Sequence, residues 1–203
     1  MGVDVDVSKV LDSGIKKKYR GKKIILHSTD WTPLKKTLWL IQQFRHICDK
    51  HHDAVLLITE PKIDTKLKRE ALKKIQKESI NNIEFLGSVP SDLLFNYYSL
   101  ADIVVYPGSG SGITTSLFVL ECMAYETPAV VSYDASEDIE HGKTGFVFKT
   151  DAEFQKYVLE LLENDDMRLT IGKQAKEYVL QKHSWKNVAQ IIENQCLEII
   201  EKK

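Results

Sequence analysis

The sequence predicts an α/β fold, a Rossmann-like, doubly wound and mainly parallel sheet of about six strands with helices on both faces. Short apolar runs of four to seven residues alternate along the chain with segments whose apolar residues recur at helical spacing. Most of these runs are apolar throughout, the pattern of strands buried on both faces. With 203 residues, 43% of them hydrophobic and 28% charged, the chain suits one globular domain over 1–203.

Taken in order, Lys23–Ser28 (KIILHS) reads as the first strand. It breaks into polar residues and Pro33, after which Leu38, Ile41, Phe44 and Cys48 mark a helix. Residues 53–59 (DAVLLIT) and 83–86 read as strands, with helices at 66–79 and Ser91–Leu100. Residues 102–106 (DIVVY) and 128–132 (PAVVS) supply two more strands around the helix Leu117–Ala124. Gly145–Phe148 is the expected last strand, followed by helices at Asp151–Glu163, 166–181 and 184–200. In the last, Val188, Ile191, Ile192, Cys196 and Ile199 form one apolar stripe with Ser184 as N-cap, so this helix must dock on something. Leu67, Ala71 and Ile75 form the inner stripe of the lysine-rich 66–77 segment, leaving its lysines as a solvated outer face.

Balanced charge, 28 basic against 29 acidic residues, points to no nucleic-acid partner. Three widely spaced cysteines, Cys48, Cys122 and Cys196, read as reduced packing residues in a cytoplasmic setting. The start lacks a signal peptide's basic and apolar regions, and no stretch approaches the roughly 18 to 20 apolar residues that span a bilayer.

In such a sheet, ligands bind beyond the carboxyl ends of the strands, near the point where strand order reverses. The most unusual loop there is 107–112 (PGSGSG), which leads through Ile113, Thr114, Thr115 and Ser116 into a helix. Glycines let the backbone approach a ligand closely, and the free N–H groups of a helix start favour phosphate. A flexible glycine turn is the plainer alternative. The dinucleotide pattern G-x-G-x-x-G is not met, which argues against a dinucleotide cofactor. Glu121, one or two turns into that helix, could accept hydrogen bonds from ribose hydroxyls, or could be an exposed helix glutamate.

The segment LFVLECMAYETPAVVSYDASEDIEHGKTGFVF resembles the signature region of the family 4 (group 1) retaining glycosyltransferases, which have the two-lobed GT-B fold. IILHSTDWTPLKKTLWLIQQF resembles the first strand, lysine-bearing loop and helix of their donor-binding lobe, and NNIEFLGSVPSDLLFNYYSLADIVVYP its middle. Gly2-Val3-Asp4 resembles the crossing between lobes, so 1–20 reads as interlobe linker and 184–203 as the crossover helix. The resemblance implies a nucleoside diphosphate sugar as donor, no cofactor and no metal. It assigns the donor diphosphate to Lys35, as the catalytic cation, and to the helix start at Thr115, Ser116 and Leu117. Glu121 then holds the ribose, and the turn Gly87, Ser88 and Val89 meets the base. The implied partner is an N-terminal acceptor-binding lobe, in the same or a separate chain, through which any membrane contact would run. Alone, this chain is expected to be inactive.

Two departures from the family pattern bear on activity. Thr29-Asp30 stands where Gly-Arg is common, and Ile113 stands where a first glutamate contacts the sugar, followed by Thr114, Thr115 and Ser116 in place of Gly-Phe-Gly. An aspartate beside a diphosphate costs affinity through like-charge repulsion unless it turns away or recruits a cation. The second reading is therefore a degenerate, non-catalytic module that binds a nucleotide or a partner.

Other groupings carry less. His46 and Cys48 diverge on a helix and, with His51, His52 and Asp53, lack a metal-ligand spacing. Asp4-Val5-Asp6 mimics a metal-nucleotide motif of a different fold, and Ser109, Ser111 and Ser116 lack the G-x-S-x-G elbow of serine hydrolases. His141 could reach the cleft or cap a helix end.

Overall fold

The computed structural model of the protein describes residues 2–3, 13–60, 64–108 and 115–201. Its strands are β1 (Lys23–Ser28), β2 (Ala54–Thr59), β3 (Ile83–Gly87), β4 (Ile103–Tyr106), β5 (Ala129–Ser132) and β6 (Gly145–Phe148). Between and after them run α1 (Ser13–Lys18), α2 (Thr37–Lys50), α3 (Lys66–Lys77), α4 (Ser91–Leu100), α5 (Leu117–Ala124), α6 (Asp151–Glu163), α7 (Asp165–His183) and α8 (Trp185–Glu201).

The six strands form one sheet in the order β3-β2-β1-β4-β5-β6, and every pairing is parallel. The expected doubly wound architecture is thus present, with α1 an element that the periodicity did not predict. Alternate strand residues enter two cores. Ile24, Leu26, Val55, Leu57, Val104 and Val131 pack on one face with Val119 and Met123 of α5 and Val179 of α7. Ile25, Leu56, Ile58, Ile103, Val105 and Val130 pack on the other with Phe44 of α2, Ala71 of α3 and Phe154 of α6. Complete burial of a side chain such as Phe44 or Phe154 contributes about 1.5–3 kcal/mol. Burial on both faces is why the strands lack polar alternation.

Strand order reverses between β1 and β4, whose register has only two paired positions, Ile25 with Ile103 and Leu26 with Val104. By contrast, β1 and β2 pair over six positions, from Lys23 with Ala54 to Ser28 with Thr59. Asp102 fastens the lower end of the seam, where its carboxylate accepts from Ile24 N at 2.7 Å and pairs with Arg168 at 3.2 Å.

Local signals set the helix ends. Thr150 and Glu153 form a reciprocal capping box at the start of α6, and Asn164 Oδ1 accepts from Met167 N at 2.9 Å to start α7. Val3 pairs with Ser184, and its N–H donates to the His183 carbonyl at 2.6 Å, so the chain's start meets the α7–α8 junction. Ser184 precedes α8 as expected, its carbonyl accepting from Val188 N at 3.0 Å. Beyond the junction α8 exposes Trp185, Ile191, Ile192, Leu197, Ile199 and Ile200. Cys196 is exposed with them, which corrects its reading as a packing residue; Cys122 is buried and Cys48 half-buried. Among the described residues no helix is long and apolar enough to cross a membrane.

Candidate functional site

Lys35, the start of α5 and the turn Gly87, Ser88 and Val89 follow the carboxyl ends of β1, β4 and β3, while Glu121 lies a turn into α5. The loop after β1 is held by its own residues. Trp31 adopts a left-handed φ of 59° and buries its ring 5.9 Å from that of Phe85. Its indole N–H donates to the buried carboxylate of Glu60, which Lys68 pairs at 2.6 Å. A 3-10 turn, Pro33–Lys35, follows and ends at Lys36, also left-handed at φ 50°. These fixed points carry Lys35 across the seam, where its ammonium donates to the Tyr106 hydroxyl at the tip of β4 at 2.7 Å. The same ammonium lies 4.9 Å from the centre of the Tyr106 ring.

Gly108 makes this approach sterically possible, because a Cβ there would lie 2.6 Å from the Leu34 carbonyl oxygen and 3.0 Å from Lys35 Cα. Ser132 Oγ donates to the Gly108 carbonyl at 2.7 Å and fixes the loop from the β5 side. Gly108→Ala is expected to push the two loops apart at a cost of about 1–3 kcal/mol. Thermal unfolding should then show a midpoint several degrees lower, by roughly 2–4 °C per kcal/mol; an unchanged midpoint would mean that the loops part without cost.

Beneath Lys35, His27 is fully buried with both ring nitrogens engaged. Nδ1 lies 3.1 Å from the Val105 carbonyl and Nε2 lies 3.2 Å from Thr37 Oγ1, itself 2.7 Å from Thr29 Oγ1. A carbonyl only accepts, so Nδ1 carries the proton and Nε2 receives the Thr37 hydroxyl. Burial, with the Lys35 charge adding to it, lowers the His27 pKa to about 4 and leaves the ring neutral at neutral pH. This chain of bonds ties β1, β4 and the first residue of α2 together under the lysine turn.

Asp30, the acid where the family pattern has a cation, is exposed and turned into a local hydrogen-bonded turn. Its Oδ1 accepts from Thr32 N at 3.1 Å and from Thr32 Oγ1 at 2.7 Å. Burial pushes its carboxyl up, but these bonds and the Lys35 charge outweigh that and hold it below the ordinary aspartate value.

Glu121 sits half-buried on α5, its Oε2 accepting from the buried Tyr98 hydroxyl of α4 at 2.9 Å. Burial raises its carboxyl above the ordinary glutamate value, and the Tyr98 bond offsets only part of that. A raised folded-state pKa means that this group's stability contribution is full below the ordinary glutamate range and is lost as pH rises through the folded value. Glu121→Gln is therefore expected to unfold at the same or a higher temperature at neutral pH while binding a ribose-containing ligand about tenfold more weakly. Paired melting and titration curves check this, and a drop in both would mark Glu121 as structural.

Thr115 is buried with its Oγ1 accepting from Asp138 N at 2.9 Å. Ser116 is the N-cap of α5, where no side-chain cap bond occupies the helix start, and Leu117 is exposed as its first residue. Ser109 through Thr114, most of the glycine-rich loop and the Ile113 departure, lie outside the described residues, as does Asp4-Val5-Asp6. Gly87 ends β3 at φ 69° with open space around its absent Cβ, so backbone conformation rather than crowding calls for glycine there. Ser88 is exposed and Val89 half-buried, directly before α4, the helix that carries Tyr98. The structure thus joins Lys35 to the end of β4 and Glu121 to α4, while Gly87, Ser88 and Val89 stand on the same rim beyond β2.

The remaining groups fall away from this rim. Among the described residues no three His, Cys, Asp or Glu side chains gather to hold a metal, and His51 pairs instead with Glu163 at 3.2 Å. His141 neither enters the cleft nor caps a helix; its Nδ1 accepts from Val147 N at 3.1 Å on the open side of edge strand β6.

Sequence reasoning did not single out His27, Trp31, Glu60, Tyr98 or Tyr106 for the site. A signal existed for Tyr106, a hydroxyl-bearing residue ending an apolar strand just before a Pro-Gly loop.

The chain is an α/β protein with a doubly wound parallel sheet and polar side chains at the point where strand order reverses, the place where such sheets take up ligands. The chain belongs to the family described as glycosyl transferases group 1, whose profile it matches over residues 21–164. It is 27% identical over 155 residues to glycosyltransferase 1 domain-containing protein 1 of Xenopus tropicalis, covering 75% of this chain and 44% of that protein. The chain therefore spans less than half the length of that relative. Anabaena HepE, solved in complex with UDP, superposes with a TM-score of 0.84 at 19% identity over 97% of this chain and 56% of its own. The C-terminal domain of the group 1 glycosyl transferase LpcC from Francisella tularensis superposes with a TM-score of 0.72 at 21% identity, over 84% of this chain and 90% of its own. These likenesses show the Rossmann-like fold of one lobe of a GT-B protein.

Proposed function

We propose that this chain is the donor-binding half of a retaining glycosyltransferase that moves a sugar from a nucleoside diphosphate sugar to a glycan, lipid or other acceptor. The observation that carries this reading is the placement of Lys35 across the strand-order reversal, against the tip of β4, with Glu121 on the helix that follows. Lys35 and the start of α5 at Thr115, Ser116 and Leu117 would hold the diphosphate, Glu121 the ribose, and the turn Gly87, Ser88 and Val89 the base. As the bond from the sugar's anomeric carbon to the diphosphate breaks, its electrons pass to a phosphate oxygen. A lysine charge and a helix N-terminus aimed there stabilise that change without a metal or cofactor. The acceptor oxygen bonds the anomeric carbon on the same face, and its proton leaves with a base outside this chain.

The acceptor is assigned to an N-terminal lobe, in the same chain or another, on the cytoplasmic side. The contact of Gly2 and Val3 with the α7–α8 junction suits an interlobe crossing at that place, and the exposed apolar face of α8 suits a crossover helix returning to that lobe. The HepE neighbour was solved with UDP, which makes UDP the first nucleotide to try.

Asp30 favours the second reading, a degenerate module that binds a nucleotide or a partner without catalysis, because it puts negative charge where a second diphosphate cation would serve. Calorimetric titration of the chain with UDP, GDP and ADP, beside Lys35→Ala and Glu121→Ala, separates them. Binding of one nucleotide that weakens in both variants supports a donor site. No binding of any of the three moves the assignment to a decayed, partner-binding lobe.

A further inference from the structure

We infer that the Tyr106 hydroxyl is a second diphosphate-binding donor, standing in for the cation that Asp30 displaces. This rests on the donor-site reading of Lys35. The Tyr106 ring is only 4% exposed, and its hydroxyl oxygen lies 2.7 Å from the Lys35 ammonium. An ammonium has three protons and no lone pair to accept with, so the phenol oxygen accepts and keeps its own proton to give. Among the described residues its hydroxyl has no other hydrogen-bond partner.

The position is a built one. Val105, the preceding residue, is bonded to His27; Gly108, two residues on, admits the Lys35 turn and is fixed by Ser132. The hydroxyl is therefore held beside Lys35, above the seam where a ligand is expected in a doubly wound sheet. A phosphate oxygen placed against Lys35 would lie beside the phenol proton as well. Asp30, engaged by Thr32, offers a carboxylate where the family pattern has a cation. A neutral O–H is the donor that tolerates a nearby carboxylate. No proton is transferred to the leaving group; the hydrogen bond strengthens as the phosphate oxygen gains charge.

Tyr106→Phe keeps the buried ring and the lysine over it while removing only the hydroxyl. The test is calorimetric titration of the chain and of Tyr106→Phe with UDP, GDP and ADP, and with uridine, guanosine and adenosine in competition. The expected result is about a tenfold or greater loss of nucleoside diphosphate affinity, with nucleoside affinity unchanged and the melting midpoint held. Equal or tighter diphosphate binding by Tyr106→Phe overturns the inference and leaves the hydroxyl a resting partner of Lys35. A parallel loss of diphosphate and nucleoside affinity, or a lowered melting midpoint, also overturns it, since either marks a structural role. If the unmodified chain binds none of the three diphosphates, the donor-site reading fails and this inference fails with it.

Discussion

Lys35→Ala is expected to weaken nucleoside diphosphate binding by roughly 10- to 100-fold, the loss of a charge-assisted contact of about 1.5–3 kcal/mol. The ammonium is half-buried, positioned by the 3-10 turn Pro33–Lys35 and braced on Tyr106. Holding the charge in place before ligand arrives reduces the ordering cost of binding. Folding should change little, because the turn is anchored by Trp31 and Glu60 rather than by the lysine itself. Lys35→Arg should recover only part of the affinity, since a planar guanidinium does not reproduce a compact point charge. Calorimetry with whichever of UDP, GDP and ADP binds reads both variants; affinity kept within about twofold in Lys35→Ala removes the lysine from the site.

Acidification should remove on the order of 3 kcal/mol of stability through His27 alone. In the folded chain burial lowers its pKa to about 4, whereas the unfolded ring takes up a proton near 6.5. A depressed folded value means that the unfolded state binds more protons between these limits. Stability is therefore full above about 6.5, falls as pH falls, and stops falling through this group near 4, where the folded ring protonates as well. Urea unfolding of the chain and of His27→Gln across that range isolates the effect, because other acid-sensitive pairs, such as Lys23 with Asp165, are common to both. Parallel curves for the two proteins would show that the His27 ring does not resist protonation.

Legibility followed the physics of each part. Strands buried on both faces leave continuous apolar runs, so β1 and β6 have the expected bounds and the other four lie within a residue of them. Helix α1 escaped because six residues, three of them the run Lys16, Lys17 and Lys18, show no apolar period. Lys35 and Glu121 were reached through family resemblance, since a lysine near a helix start and a glutamate within one look ordinary by composition. His27 and Tyr106 depend on β4 lying beside β1, which joins residues 78 and 71 positions apart and leaves no local trace. Asp30 was legible in part: its charge was plain, and the Asp-x-Thr spacing that folds it onto Thr32 was present but carried no weight until the loop was seen.

The two paired positions between β1 and β4 make the middle of the sheet its weakest backbone bond, with the longer β1–β2 ladder on one side. Sub-global opening starts where few bonds must break together, so this line is where the two halves of the molecule would breathe. The lysine loop belongs to one half, and Tyr106, Gly108 and Glu121 to the other. A ligand gripping both would act as a clasp, and its binding energy would be spent equally on holding the halves shut. Amide exchange at Leu26, well below the rim, would then slow in proportion to nucleotide affinity and report occupancy without touching the ligand.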